Sequence, residues 1–72
     1  MKAKICIDTQ SDALAIVNIA SKYPDNEIII EDENGFRVNA KSMLGVLYSM
    51  EFNNLWLVSN IDIYSEIERF II

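Results

Sequence analysis

The side chains able to do chemistry in this chain are few, and the missing types narrow the choice most. Histidine is absent and there is one cysteine, Cys6. The common zinc sites therefore lack their ligands, and no imidazole is available as a nucleophile or as a base near neutrality. Cys6 alternates with Ile5 and Ile7, which puts it on the opposite face of a strand, where packing as a small hydrophobe is expected rather than catalysis. Asp25, Glu27, Glu31, Asp32 and Glu33 form an acidic neighbourhood. Alternation and turns place no catalytic pair among them, and their spacing is not that of a calcium loop. The glycines, Gly35 and Gly45, lack phosphate-loop spacing. The expectation is a chain with no metal, no cofactor and no catalysis of its own. What remains are hydroxyls ahead of helical patterns, Thr9, Ser11 and Ser42, each able to cap free backbone amides.

The elements that carry these residues are legible from hydrophobic period. Lys2 to Ile7 alternates, with Ala3, Ile5 and Ile7 on one face, as a strand covered on one side requires. From about Ser11 to Tyr23 the apolar residues recur at helical spacing, through Ala13, Leu14, Ile16, Val17 and Ala20, and Pro24 stops the helix near Tyr23. Ile28, Ile29 and Ile30 form a short β-branched run suited to a pleated sheet. Asn34-Gly35 then predicts a tight hairpin with positive φ at both residues, returning through Phe36 to Asn39. A second helix runs from Ser42 to about Met50, with Leu44 and Leu47 expected in the core and Met43 and Met50 exposed. Leu55 to Ser59 reads as a strand. From Asp62, its expected N-cap, a third helix presents Ile63, Ile67, Phe70 and Ile71 as a seam.

This order, β-α-β-β-α-β-α, predicts two layers with helices on one face of a mainly antiparallel sheet; a ferredoxin-like fold with an added helix fits the same order. The chain's 72 residues fit one domain spanning 1–72, and an apolar content of 51% suffices for one core. A lone cysteine and the lack of an apolar run at the start point to a reducing, cytoplasmic setting without membrane insertion. The net charge of −5 disfavours direct nucleic-acid binding, although a basic protein partner is compatible with it.

The stretch Asn34-Gly35-Phe36-Arg37-Val38-Asn39-Ala40-Lys41-Ser42-Met43-Leu44-Gly45-Val46-Leu47 resembles the histidine-containing phosphocarrier (HPr) family in its Asn-Gly hairpin, its Val-Asn-x-Lys-Ser segment and the apolar helix beyond. Ala20-Ser21-Lys22-Tyr23 is similar to the end of that family's first helix. The resemblance implies an α/β (α+β) open-faced sandwich, its four antiparallel strands in the order 1-4-2-3 and its three helices on one side. It also implies where the family's chemistry would sit. Counting back without gaps from Ala20 places Thr9 at the phosphoryl-accepting histidine, Ser11 at the phosphate-binding arginine and Asp12 at the following proline. A threonine cannot form a phosphoramidate, Ser11 offers no bidentate donor, and Asp12 puts negative charge where a donor phosphate would arrive. The acceptor segment is degenerate.

Ser42 matches instead the serine that a dedicated protein kinase phosphorylates in family members linked to carbon catabolite repression, whose phosphorylated form binds a transcriptional regulator. The resemblance thus implies a non-catalytic regulatory module with a serine kinase and a regulator as partners, and a partner-binding surface at Met43, Leu47 and Met50; Phe52 and Trp56 fit either an extension of that patch or a cover over one end of the sheet. Two other readings remain open at this level: a structural or assembly domain that keeps the fold without phosphorylation, and, weakest, a phosphocarrier using another acceptor.

Overall fold

Alternation builds the sheet and period 3.6 builds the layer on top of it. The computed structural model describes residues 1–72. Strand β1 spans Lys2–Ile5, helix α1 Gln10–Ala20, β2 Ile28–Asp32, β3 Arg37–Asn39, α2 Met43–Ser49, β4 Leu55–Ser59 and α3 Tyr64–Ile67, the last continuing into a 3-10 turn over Glu68–Phe70. The four strands form one antiparallel sheet in the order β1-β4-β2-β3. The three helices share one face of it, so the architecture is the open-faced sandwich of HPr-like topology.

The register explains which residues are covered. Ile5 pairs with Leu55, and Ile30 with Leu57 and Val38. Ile5, Ile28, Ile30, Leu55 and Leu57 are all buried beneath the helices. Helix α1 closes on them with Ala13, Ile16 and Ala20, spaced so that they share one side, and α2 contributes Val46. The alanines matter because small side chains let α1 lie close to its neighbours, which are α2 and α3 more than the strands. Gly45 has the same role in α2: a Cβ there would stand 3.3 Å from the Val38 Cβ, so glycine permits the close approach of α2 to β3.

Three local expectations are corrected. Helix α1 ends at Ala20 rather than near Tyr23: the Lys22 and Tyr23 amides donate to Ile19 and Ala20, three residues back. The turn tightens because Pro24 disfavours helical backbone in the residue before it. The β2–β3 turn uses positive φ only at Gly35 (87°), not at Asn34. Its three residues, Glu33 to Gly35, are closed by Asp32, whose amide donates to the Phe36 carbonyl and whose carbonyl accepts from Gly35. A left-handed glycine after a type I turn is the usual solution for a three-residue hairpin loop. Finally, the third helix is one turn long, and Ile71 is extended, not helical. The chain end lies along β1 instead, with the Cys6 amide donating to the Phe70 carbonyl (2.8 Å) and the Ile72 amide to the Lys4 carbonyl (3.0 Å). This pairing covers an edge that would otherwise expose unpaired backbone groups.

Candidate functional site

Each helix that the resemblance marks as functional begins on a hydroxyl. Thr9 is the N-cap of α1, with extended backbone, and its Oγ1 accepts from the Asp12 amide at 3.1 Å. Asp12 answers by accepting the Asp8 amide on Oδ2 at 3.1 Å, a reciprocal arrangement close to a capping box. Thr9 and Asp12 are therefore committed to holding the helix start, and the carboxylate complements the positive end of the α1 dipole. Ser11 is exposed and fills no capping role. This terminus presents a carboxylate and no cation within the segment, an arrangement that repels an incoming phosphoryl group.

Ser42 caps α2 in the same manner, its Oγ accepting from the Gly45 amide at 3.1 Å. The preceding residue anchors the approach. Lys41 donates its Nζ to the Asn26 carbonyl and, at 3.3 Å, to that of Pro24, tying the loop before α2 to the turn after α1. Its amide donates to Asn39 Oδ1. The Ser42 hydroxyl stays exposed at the end of this braced loop.

The outer face of α2 differs from the one expected. Leu44, expected in the core, is 80% exposed, and Val46 takes the buried position instead. Met43 and Met50, expected to be exposed, are half-buried against the core together with Leu47. The reason is rotational: Gly45 must face β3, and that sets Val46 and Ser49 inward and Leu44 and Tyr48 outward. Ser49 satisfies its buried hydroxyl by donating to the Val46 carbonyl at 2.6 Å. Tyr48, 62% exposed, meets Phe52 edge-on with ring centroids 5.1 Å apart. Phe52 in turn stacks on Phe36 of the hairpin at 5.8 Å. Phe52 thus links the apolar side chains of α2 to the hairpin. Trp56 does not, because it lies on the opposite, helix-free face of the sheet, pairing in register with Lys4 and Glu31.

The acidic neighbourhood is dispersed by the fold. Glu31 sits on the open sheet face between Lys2 (3.1 Å) and Arg37 (3.4 Å). Asp32 is buried and its Oδ1 accepts from the Asn34 and Phe36 amides, both at 2.9 Å, bracing the hairpin from within. Glu33 accepts from Asn54, a residue held at positive φ (58°). No group of three or more His, Cys, Asp or Glu side chains gathers in a way that could hold a metal ion. No helix is long and apolar enough to cross a membrane. Cys6 does face away from Ile5 and Ile7, but it is exposed rather than packed. Its Sγ donates to Asp8 Oδ1 at 3.0 Å, and this hydrogen bond, aided by desolvation and nearby carboxylates, holds its pKa above the ordinary thiol value. The thiolate form is disfavoured.

Sequence reading missed Asp32, although an aspartate two residues before Asn-Gly is a signal for a side chain that caps a turn. It also missed the Tyr23–Glu66 contact and the aromatic chain Phe36–Phe52–Tyr48. These join residues far apart in the sequence, and no local pattern announces them.

Fold and surface together define a small α/β module of HPr-like topology whose two capped helix starts bear no catalytic constellation. Comparison with protein-family models, with curated proteins and with solved structures finds no match.

Proposed function

We propose that this chain is a non-catalytic HPr-like regulatory module that binds a protein partner through the outer face of α2 and is controlled by phosphorylation of Ser42. The observation that carries the reading is the exposed apolar strip of Leu44 and Tyr48, continued by Phe52 and Phe36 and beginning within one helical turn of the exposed Ser42 hydroxyl. Monomeric proteins seldom expose contiguous large hydrophobes without using them. A phosphate on Ser42 would add roughly two negative charges next to that strip and meet free amides of the helix start, changing the partner surface while leaving the sheet alone. The partners of this reading are a serine kinase and a transcriptional regulator of carbon metabolism.

The test is direct. A kinase that phosphorylates the serine of authentic HPr proteins should modify the wild type and leave Ser42→Ala unmodified by mass spectrometry. The phosphorylated form should bind the regulator at least about tenfold more tightly, equivalent to about 1.4 kcal/mol. Modification elsewhere, or unchanged affinity after modification, defeats the mechanism. A second reading, assembly without phosphorylation, draws on the Ser42 Oγ already being engaged by the Gly45 amide as an ordinary N-cap. Under it the kinase leaves the protein untouched and Leu44→Glu abolishes self-association.

A further inference from the structure

The helix-free face of the sheet carries the opposite charge to the rest of the molecule. The charged strand residues on that face are Lys2, Lys4, Glu31 and Arg37, three cations against one carboxylate. That is a surplus of two positive charges in a chain whose net charge is −5, so everything else carries a net −7. The pairing register sets these groups in a row across the strands: Lys4 opposite Trp56, Trp56 opposite Glu31, Glu31 opposite Arg37. Glu31 is shared by Lys2 and Arg37, whereas Lys4 has no carboxylate partner. Trp56 lies between the two lysines, with their ammonium nitrogens 5.5 and 5.7 Å from its ring centre. The neighbouring row contributes Val58 and Ile29, both half-buried and uncovered by any element. Beside them an open groove of about 360 Å3 is lined in part by Ile29, Arg37, Asn39 and Lys41.

We infer that this face docks an acidic, extended segment of a partner protein. Charge complementarity selects the sign of the occupant. Geometry selects its form. Three strand steps of about 4.8 Å separate Lys4 from Arg37 by roughly 14 Å, and carboxylates at i and i+4 of an extended chain share a side and stand about 13 Å apart. One reaches Lys4 and the other Arg37. The residue midway, i+2, meets Trp56 and Glu31 and must be apolar, because a third carboxylate would face Glu31. The recognised pattern is acidic–x–apolar–x–acidic, laid across the strands. Glu27 and Glu33 flank β2 at its two ends and discourage an acidic segment from running along it instead. A second copy of the chain packed face to face would set cations against cations. Base stacking on Trp56, the act expected of a single-stranded nucleic acid on such a sheet, would have to displace both ammoniums from the ring. This surface lies across the sheet from α2 and Ser42, so its test is independent of the function proposed above.

Trp56 is the sole tryptophan, which makes its fluorescence a local reporter. The intact protein should be titrated with a soluble peptide containing Glu-Ser-Leu-Ser-Glu, and with its Lys-Ser-Leu-Ser-Lys counterpart. Both emission and amide chemical shifts should be followed. The acidic peptide should produce a saturable change centred on Lys2, Lys4, Arg37 and Trp56, weakened by salt; the lysine peptide should produce none. Lys4→Glu combined with Arg37→Glu should weaken binding at least about tenfold, and Lys4→Gln with Arg37→Gln should give an intermediate loss, each with an unchanged amide pattern elsewhere. The inference is overturned by no saturable change, by an equal response to the lysine peptide, or by shifts confined to the helices. It is equally overturned if a thymidine oligonucleotide binds more tightly than the acidic peptide, or if the signal tracks protein concentration alone, which would indicate a second copy.

Discussion

The Tyr23 hydroxyl donates to Glu66 Oε2, joining the turn after α1 to the single turn of α3. Lys22 adds a second bond to the same carboxylate at 2.9 Å. A helix as short as α3 has little stability of its own, so its position depends on such anchors and on the buried Ile67. The Tyr23 hydrogen bond, followed by that from Lys22, holds the Glu66 pKa below the ordinary carboxylate value, and the same bond raises that of Tyr23. A carboxylate whose folded pKa is lowered stabilises the fold above its unfolded pKa, and that contribution fades as pH falls through the folded value. For Tyr23 the direction reverses: its contribution is complete below the unfolded phenol pKa and is lost as pH rises through the higher folded one. Tyr23→Phe should lower the thermal midpoint at neutral pH and shrink its decline under acid, and Glu66→Gln should do the same. Thermal unfolding monitored at a series of pH values checks both.

Asp32 gives a larger, local effect. Its buried carboxylate serves two backbone amides of the hairpin. Hydrogen bonds to a charged group are worth about 1.5–3 kcal/mol each, so Asp32→Ala should destabilise by at least about 2 kcal/mol in urea unfolding. Asp32→Asn, which keeps an acceptor at Oδ1, should lose less than half of that.

The helix caps can be separated from any signalling role. Thr9→Ala and Ser42→Ala should each cost about 1 kcal/mol, whereas Ser42→Asp, retaining a capping oxygen and adding favourable charge at the helix start, should stay close to wild type. Chemical denaturation measures the three side by side. An unexpectedly large loss in Ser42→Asp would mean that negative charge at this position is not tolerated by the fold.

Cys6 should react slowly despite its exposure. With Asp8 accepting its thiol hydrogen, alkylation by iodoacetamide at neutral pH should lag behind that of an unstructured thiol, and Asp8→Asn should accelerate it by lowering the thiol pKa. Mass spectrometry over a time course gives both rates.

Much of this protein is written in short-range pattern. The alternation of Lys2 to Ile5, the three isoleucines at 28 to 30, the helical period through Ala13, Ile16 and Ala20, and the hydroxyls of Thr9 and Ser42 all act within a few residues, where backbone geometry dictates the outcome. The absence of histidine likewise excludes a histidyl phosphocarrier without reference to any fold. The 1-4-2-3 strand order was expected from the resemblance to HPr, while local pattern, which constrains element type better than topology, kept a ferredoxin-like arrangement as the runner-up.

Tertiary structure decided the rest. The close approach of Gly45 to Val38 rotates α2 so that Leu44 faces solvent and Val46 the core, a choice that the apolar run Met43 to Leu47 leaves undetermined. Residues 70–72 pair with β1 rather than extending a helix through Ile71, because an open strand edge offers backbone partners that a further helical turn would not. Alternation turns Trp56 away from the buried Leu55 and Leu57 and hence from the helices, but only the placing of β4 beside β1 makes Lys2 and Lys4 its neighbours on that face. Side-chain periodicity tells each residue which side of its own element it occupies, but which elements lie alongside depends on packing between segments distant in sequence, and only the folded chain contains that information.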